Sequence, residues 1–208
     1  MKKVIAVLIV VVVSCMALTA MKGSSVFSVG YTADTRTSSS GEKYTYFGPN
    51  IGLSIIRANG ESSSVGFYSH LTMTLVTRQF TTSREWVKID LSKRLNILTH
   101  ELGGIGFLIP ISSTFDIILG VGLSVDLDIY SSSSFFLLEE VFGLGIGADL
   151  RLRLTESLCV NFSAQSSYSI WGEDIYMSDS YSDVFTIDFS ERRRYSGVKA
   201  KIGLGFCF

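Results

Sequence analysis

Two stretches of this chain alternate apolar residues with small or polar ones for far longer than an ordinary strand lasts. In "FDIILGVGLSVDLDIY", Phe115, Ile117, Leu119, Val121, Leu123, Val125, Leu127 and Ile129 share one face. Asp116, Ile118, Gly120, Gly122, Ser124, Asp126, Asp128 and Tyr130 share the other. In the next run, Phe136, Leu138, Phe142, Leu144, Ile146, Ala148, Leu150, Leu152 and Leu154 lie opposite Glu139, Gly143, Gly145, Gly147, Asp149, Arg151 and Arg153. A period of two is that of a β-strand with two chemically different sides. Strands of globular sheets run about five or six residues, so these runs belong to a different architecture.

The same period covers about 25–34, 43–57, 64–78, 94–110, 115–130, 135–154, 158–171 and 195–208, which predicts eight strands. "RANGES", "SST" and "TES" read as tight turns, whereas 35–42, 79–93, 131–134 and 172–194 are polar, Ser-rich and mostly longer. Short turns at one end and long loops at the other are the plan of a transmembrane β-barrel. Near Gly103-Gly104 the apolar parity changes, which predicts a β-bulge.

Polarity decides what the two faces touch. Eight strands enclose a space little wider than the side chains that fill it. The glycine, serine and charged face suits that crowded interior, and the Leu, Ile, Val and Phe rows suit lipid. A water-soluble, lipocalin-like barrel is the alternative. It needs charged rows outside, and Gly-Leu-Gly-Ile-Gly supplies none. Only a helix or a closed barrel satisfies its backbone in hydrocarbon, and no stretch beyond the N-terminus is long enough for a spanning helix. The expected fold is all-β: a closed, antiparallel, up-and-down, eight-stranded transmembrane β-barrel.

The first residues, "MKKVIAVLIVVVVSCMALTA", carry Lys2 and Lys3, an apolar run from Val4 to Val13, and small residues at Ala17 and Ala20. This predicts a signal peptide over 1–20 and a single barrel domain over 21–208. Cys15 after the apolar run leaves a lipoprotein-like start as the alternative, against which Val12 and Val13 are poor matches. The formal charge is −1, and loss of Lys2 and Lys3 makes it more negative, which argues against a nucleic-acid partner.

The ending "VKAKIGLGFCF" resembles the last strand of bacterial outer-membrane barrels, and "FGPNIGLSII" resembles the second strand of the small eight-stranded group typified by the OmpA membrane domain, OmpX and OmpW. The resemblance implies that Ile202, Leu204, Phe206 and Phe208 form the signal read by the barrel assembly machinery. It implies a monomer in outer-membrane lipid, with both termini periplasmic and the long loops extracellular.

On the inward face, Asp116, Asp126, Asp128, Glu139, Asp149, Arg151, Arg153, Lys199 and Lys201 form the expected lumen charge network, joined by Asp34, Asn50, Tyr68, His70, Arg78, Asn161 and Gln165. Both signs are present, so paired, hydrogen-bonded charges plug the lumen; a narrow conduction path is the alternative. Asp126, Asp128 and Glu139 sit towards the long-loop end, where they are placed to attract cations. In "THELGG" no second histidine follows His100 at zinc-protease spacing, and the Gly-x-Gly runs lie inside strands. No catalytic residue, metal site or cofactor is expected.

The last loop carries Tyr176, Tyr181, Phe185, Arg192, Arg193 and Arg194, a composition favoured at recognition sites and equally suited to anionic head groups. Setting Trp171 opposite Tyr195 places Cys159 opposite Cys207, within reach of a disulfide in an oxidising periplasm; two reduced interior thiols are the alternative. The expected role is that of a structural or adhesin-like surface-interaction protein, with an OmpW-like channel for small apolar molecules as the alternative.

Overall fold

The computed structural model describes residues 23–37, 41–58, 65–81, 86–132, 135–178 and 196–207. Ten strand segments form one antiparallel sheet: β1 (Gly23–Thr37), β2 (Lys43–Ala58), β3 (Val65–Leu75), β4 (Arg78–Thr81), β5 (Trp86–Lys88), β6 (Arg94–Pro110), β7 (Phe115–Ser132), β8 (Phe135–Arg153), β9 (Leu158–Ser178) and β10 (Ser196–Cys207). β1 pairs with β2 on one side and β10 on the other, so the sheet closes on itself. Closure removes the free edge that an open sheet presents. β3 and β4 are two halves of one stave, and β5 folds back on β4 as a short ribbon. The result is the expected closed barrel of eight staves.

The expected polarity holds around the wall. Leu119, Val121, Leu123, Leu144, Ile146, Ile202, Leu204 and Phe206 point out and are exposed, while Asp126, Asp128, Asp149, Arg151, Lys199 and Lys201 point in and are buried. The barrel is therefore inverted relative to a water-soluble one. Glu101 is an acid on the outer face midway along β6, where its register neighbours are Leu71 and Val125.

Glycine makes room for the few large interior side chains. A Cβ on Gly120 would lie 2.3 Å from the Tyr68 ring, and one on Gly145 2.9 Å from Leu102. Tyr68 and Leu102 pack with Ile56 and Ile118 into a small apolar cluster, and Val76, Ile89 and Leu98 form a second. This corrects the bulge expected at Gly103-Gly104. The register of β6 is constant against both β3 and β7. Leu98 and Leu102 lie inside on the same parity as His100, which mimics a change of face in the sequence.

The irregularities fall elsewhere. β8 and β9 shift by one residue at Phe142/Gly143, where Phe142 pairs with Trp171 and Gly143 with Ser169. Both Ile170 and Trp171 are consequently exposed, and Trp171 stacks on Phe142 at 5.3 Å between ring centroids. The second shift lies between β3 and β4. Asn50 opposes Thr74, but Phe47 opposes Arg78, so one extra residue enters the stave. A one-residue shift turns every following side chain to the other face. Arg78, expected inside, therefore shares the outer face with Phe47.

Candidate functional site

The interior polar groups gather in two clusters along the barrel. Arg36 organises the one nearer the long connections. Its guanidinium donates to Asp34 at 3.1 and 3.2 Å, to Asp128 Oδ1 at 3.0 Å and more closely to Asp128 Oδ2, and lies 3.9 Å from Asp126. Asp126 also holds Lys199 and, at 2.9 Å, His100 Nδ1. The Tyr46 ring lies under the Arg36 guanidinium, 5.8 Å away. Asp126 and Asp128 are buried and already paired with cations, which corrects the expectation that they attract cations from solution. Glu139 is half-buried on the same inward parity of β8.

Asp149 organises the second cluster. Its carboxylate lies 3.1 Å from His70 Nδ1 and accepts from Ser54 Oγ at 2.7 Å and Tyr68 OH at 3.2 Å. Arg151 joins through Ser54 at 3.0 Å and reaches Ser24 at 2.8 Å. Lys201 Nζ lies 3.5 Å from His70 Nε2. At the short-turn mouth, Arg153 pairs with Asp116 at 2.7 Å and is partly exposed. Between the clusters, Thr72, Thr74, Ser163 and Gln165 line a cavity of about 10 Å³ together with His70, His100, Lys199 and Lys201. That volume accommodates about one water molecule.

Sequence reasoning missed two basic members of this network, Arg36 and His100. Arg36 lies beyond residue 34, where the first strand was expected to end, but β1 runs to Thr37. His100 was hidden by the supposed bulge; its even parity with Asn96, Leu98 and Leu102 is the signal that places it inside. His70 and His100 each pair with an aspartate far away in sequence, Asp149 and Asp126 respectively.

Ile202, Leu204 and Phe206 point outward as expected. Phe208, Tyr181, Phe185, Arg192, Arg193 and Arg194 lie outside the described residues, as do residues 1–20. Tyr176 belongs to β9 rather than to a loop: β9 continues to Ser178, seven residues beyond the expected end of the strand, and pairs Tyr176 with Leu137.

The cysteine register is two residues from the one expected. Cys159 opposes Gly205, so Cys207 is a diagonal neighbour and bonds instead through its backbone N–H to the Ser157 carbonyl. Both thiols are free, yet their sulfurs lie 3.1 Å apart because both project into the same mouth. A disulfide needs about 2.05 Å, so a small side-chain rotation closes the gap. Mild oxidation is expected to remove the two alkylatable thiols of Cys159 and Cys207, read as a mass shift after denaturing alkylation. Two reactive thiols persisting after oxidation would contradict it.

No protein-family model matches the chain, and no curated protein matches it. Solved structures do. The attachment invasion locus protein Ail of Yersinia pestis is 14% identical with a TM-score of 0.48, the match covering 90% of this chain and 100% of Ail. Neisserial surface protein A is 16% identical with a TM-score of 0.49, covering 90% and 100%. The outer membrane protein OprG of Pseudomonas aeruginosa is 14% identical with a TM-score of 0.48, covering 90% and 97%.

Proposed function

We propose that the chain is an integral outer-membrane barrel whose lumen is plugged and whose extracellular loops serve structure or surface recognition. The observation that carries this reading is the cavity of about 10 Å³ between two clusters of paired charges. A space for about one water is too small for a hydrated ion or a small solute at that level of the barrel. The inverted polarity of the wall supports placement in lipid, since an apolar exterior around a closed strand ladder is stable only where water is absent.

The short connections between Ala58 and Val65, Pro110 and Phe115, and Arg153 and Leu158 lie at one end, together with the start of β1 and the end of β10. This end is assigned to the periplasm and the opposite end to the exterior. Tyr176, Tyr181, Phe185 and Arg192 to Arg194 then belong to the extracellular side, where their chemistry suits an anionic or aromatic-binding partner. A non-enzymatic role fits the histidines, since His70 and His100 are both buried in the lumen.

Purified protein in a planar lipid bilayer is expected to give no single-channel steps above the bare membrane. Reproducible steps would overturn the plugged lumen and favour the channel reading.

A further inference from the structure

Two cations face each other across the β4–β5 ribbon: Arg78 stands directly opposite Lys88. Directly opposed residues of an antiparallel pair share a face, and like charges there are destabilising. Neither side chain makes a salt bridge or hydrogen bond among the described residues. Asp90, two residues beyond Lys88, is exposed and engaged by Ser92 Oγ at 2.7 Å and Lys93 at 3.9 Å. Among the described residues the pair therefore sits exposed and mutually repelling, with Asp90 as a weak counter-charge for Lys88 only.

The register says which way this pair faces. Phe47 opposes Arg78, and Phe47 lies on the outward parity of β2, two steps above the exposed Ile51. Arg78 reaches that face only because of the extra residue between Thr74 and Arg78; an unbroken β3 would aim it into the lumen with Thr72 and Thr74. Bulges commonly re-aim a side chain in this way. The shift also needs Gly48, where a Cβ would lie 1.8 Å from the Leu75 carbonyl oxygen. Phe80, opposite Thr45, lies on the same outer face beside the two cations.

We propose that Arg78 and Lys88 form a binding site for the phosphate of an anionic glycolipid in the outer leaflet. The assignment rests on the membrane placement proposed above. A phosphate between the two cations turns a repulsive cross-strand pair into two charge-assisted contacts, with the Arg78 fork able to engage two oxygens. The source is lipid rather than free phosphate because the site opens along the wall. Exposed Ile51 and Met73 continue below it, so acyl chains attached to the same headgroup lie against apolar surface. Aromatic Phe47 and Phe80 suit the interfacial girdle at that level.

The test uses the full barrel reconstituted in phosphatidylcholine vesicles containing lipid A or its dephosphorylated form. Vesicle flotation is read first and reports membrane placement by itself. Lipid retained after detergent extraction is then counted by native mass spectrometry. The unmodified protein is expected to retain the phosphorylated form about tenfold or more over the dephosphorylated one, the scale of one or two hydrogen bonds to a charged group. The Arg78→Gln/Lys88→Gln pair is expected to erase that preference, and Lys88→Glu, which gives Arg78 an opposite charge across the ribbon, to erase it equally. Lys93→Gln is expected to keep it. Equal retention by the double variant overturns the site, and displacement of the glycolipid by excess inorganic phosphate overturns the lipid as its ligand. Protein that does not float removes the membrane reading and this proposal with it.

Discussion

Asp149→Ala is expected to destabilise the barrel by about 3–5 kcal/mol, the range for removing one partner of a buried charge network. Asp149 is fully buried and is the acceptor shared by Ser54, Tyr68 and His70. Its loss takes the nearest carboxylate from Lys201 and leaves Arg151 only its cross-strand neighbour Asp116, which is already paired with Arg153. An exposed ion pair is worth only about 0–1 kcal/mol, so the magnitude separates the two situations. Equilibrium urea unfolding in phospholipid vesicles, followed by tryptophan fluorescence, measures it. Asp149→Asn keeps acceptors for Ser54 and Tyr68 and is expected to fall between the two proteins. A loss below about 1 kcal/mol for the alanine variant would mean that the cluster is wet enough to rearrange around the gap.

Gly30→Val is expected to act earlier, on closure itself. Gly30 pairs with Gly203 where the first strand meets the last. A Cβ on Gly30 would lie 2.0 Å from the Ile202 carbonyl oxygen, and one on Gly203 2.6 Å from the Val29 carbonyl oxygen. These obstacles are backbone atoms held in the ladder, so no rotamer change relieves them. Ordinary overpacking costs about 1–3 kcal/mol; here the seam must shift, and the expected cost is at or above the top of that range. The readout is the fraction of unheated protein that migrates as the compact form in SDS gels. A Gly30→Val population as compact as the parent would show that the seam tolerates displacement. Gly197→Ala provides the contrast, since a Cβ there meets only the Ser167 hydroxyl at 3.1 Å and a carbonyl oxygen at 3.9 Å.

Much of the site was legible because alternation is a local property. Every second residue of β7, β8 and β10 could be assigned to the inner or outer wall from the sequence, and Asp116, Asp126, Asp128, Asp149, Arg151, Lys199 and Lys201 were all found inside. Their partners were not legible. Arg36 meets Asp128 across 92 residues and Ser54 meets Asp149 across 95; such distances are set by the register between staves, which a single strand does not encode. The cysteines make the same point on a smaller scale. Their parity was read correctly, but the pairing was displaced by two residues because no residue marks where the turn after β9 begins to pair.

The chain's own order of residues determined the eight staves, the closed inverted barrel and the sign of most faces, because period two is imposed by the geometry of the extended backbone. Tertiary structure alone decided where that period breaks. The extra residue before Arg78 falls in "LVTR", which contains no glycine or proline to announce it. The glycine that permits it, Gly48, sits on the neighbouring strand, where the close backbone approach becomes visible only once the two are paired. That one step turns Arg78 from the lumen to the outer wall and sets it against Lys88, because a register shift of one residue exchanges the two faces of a strand.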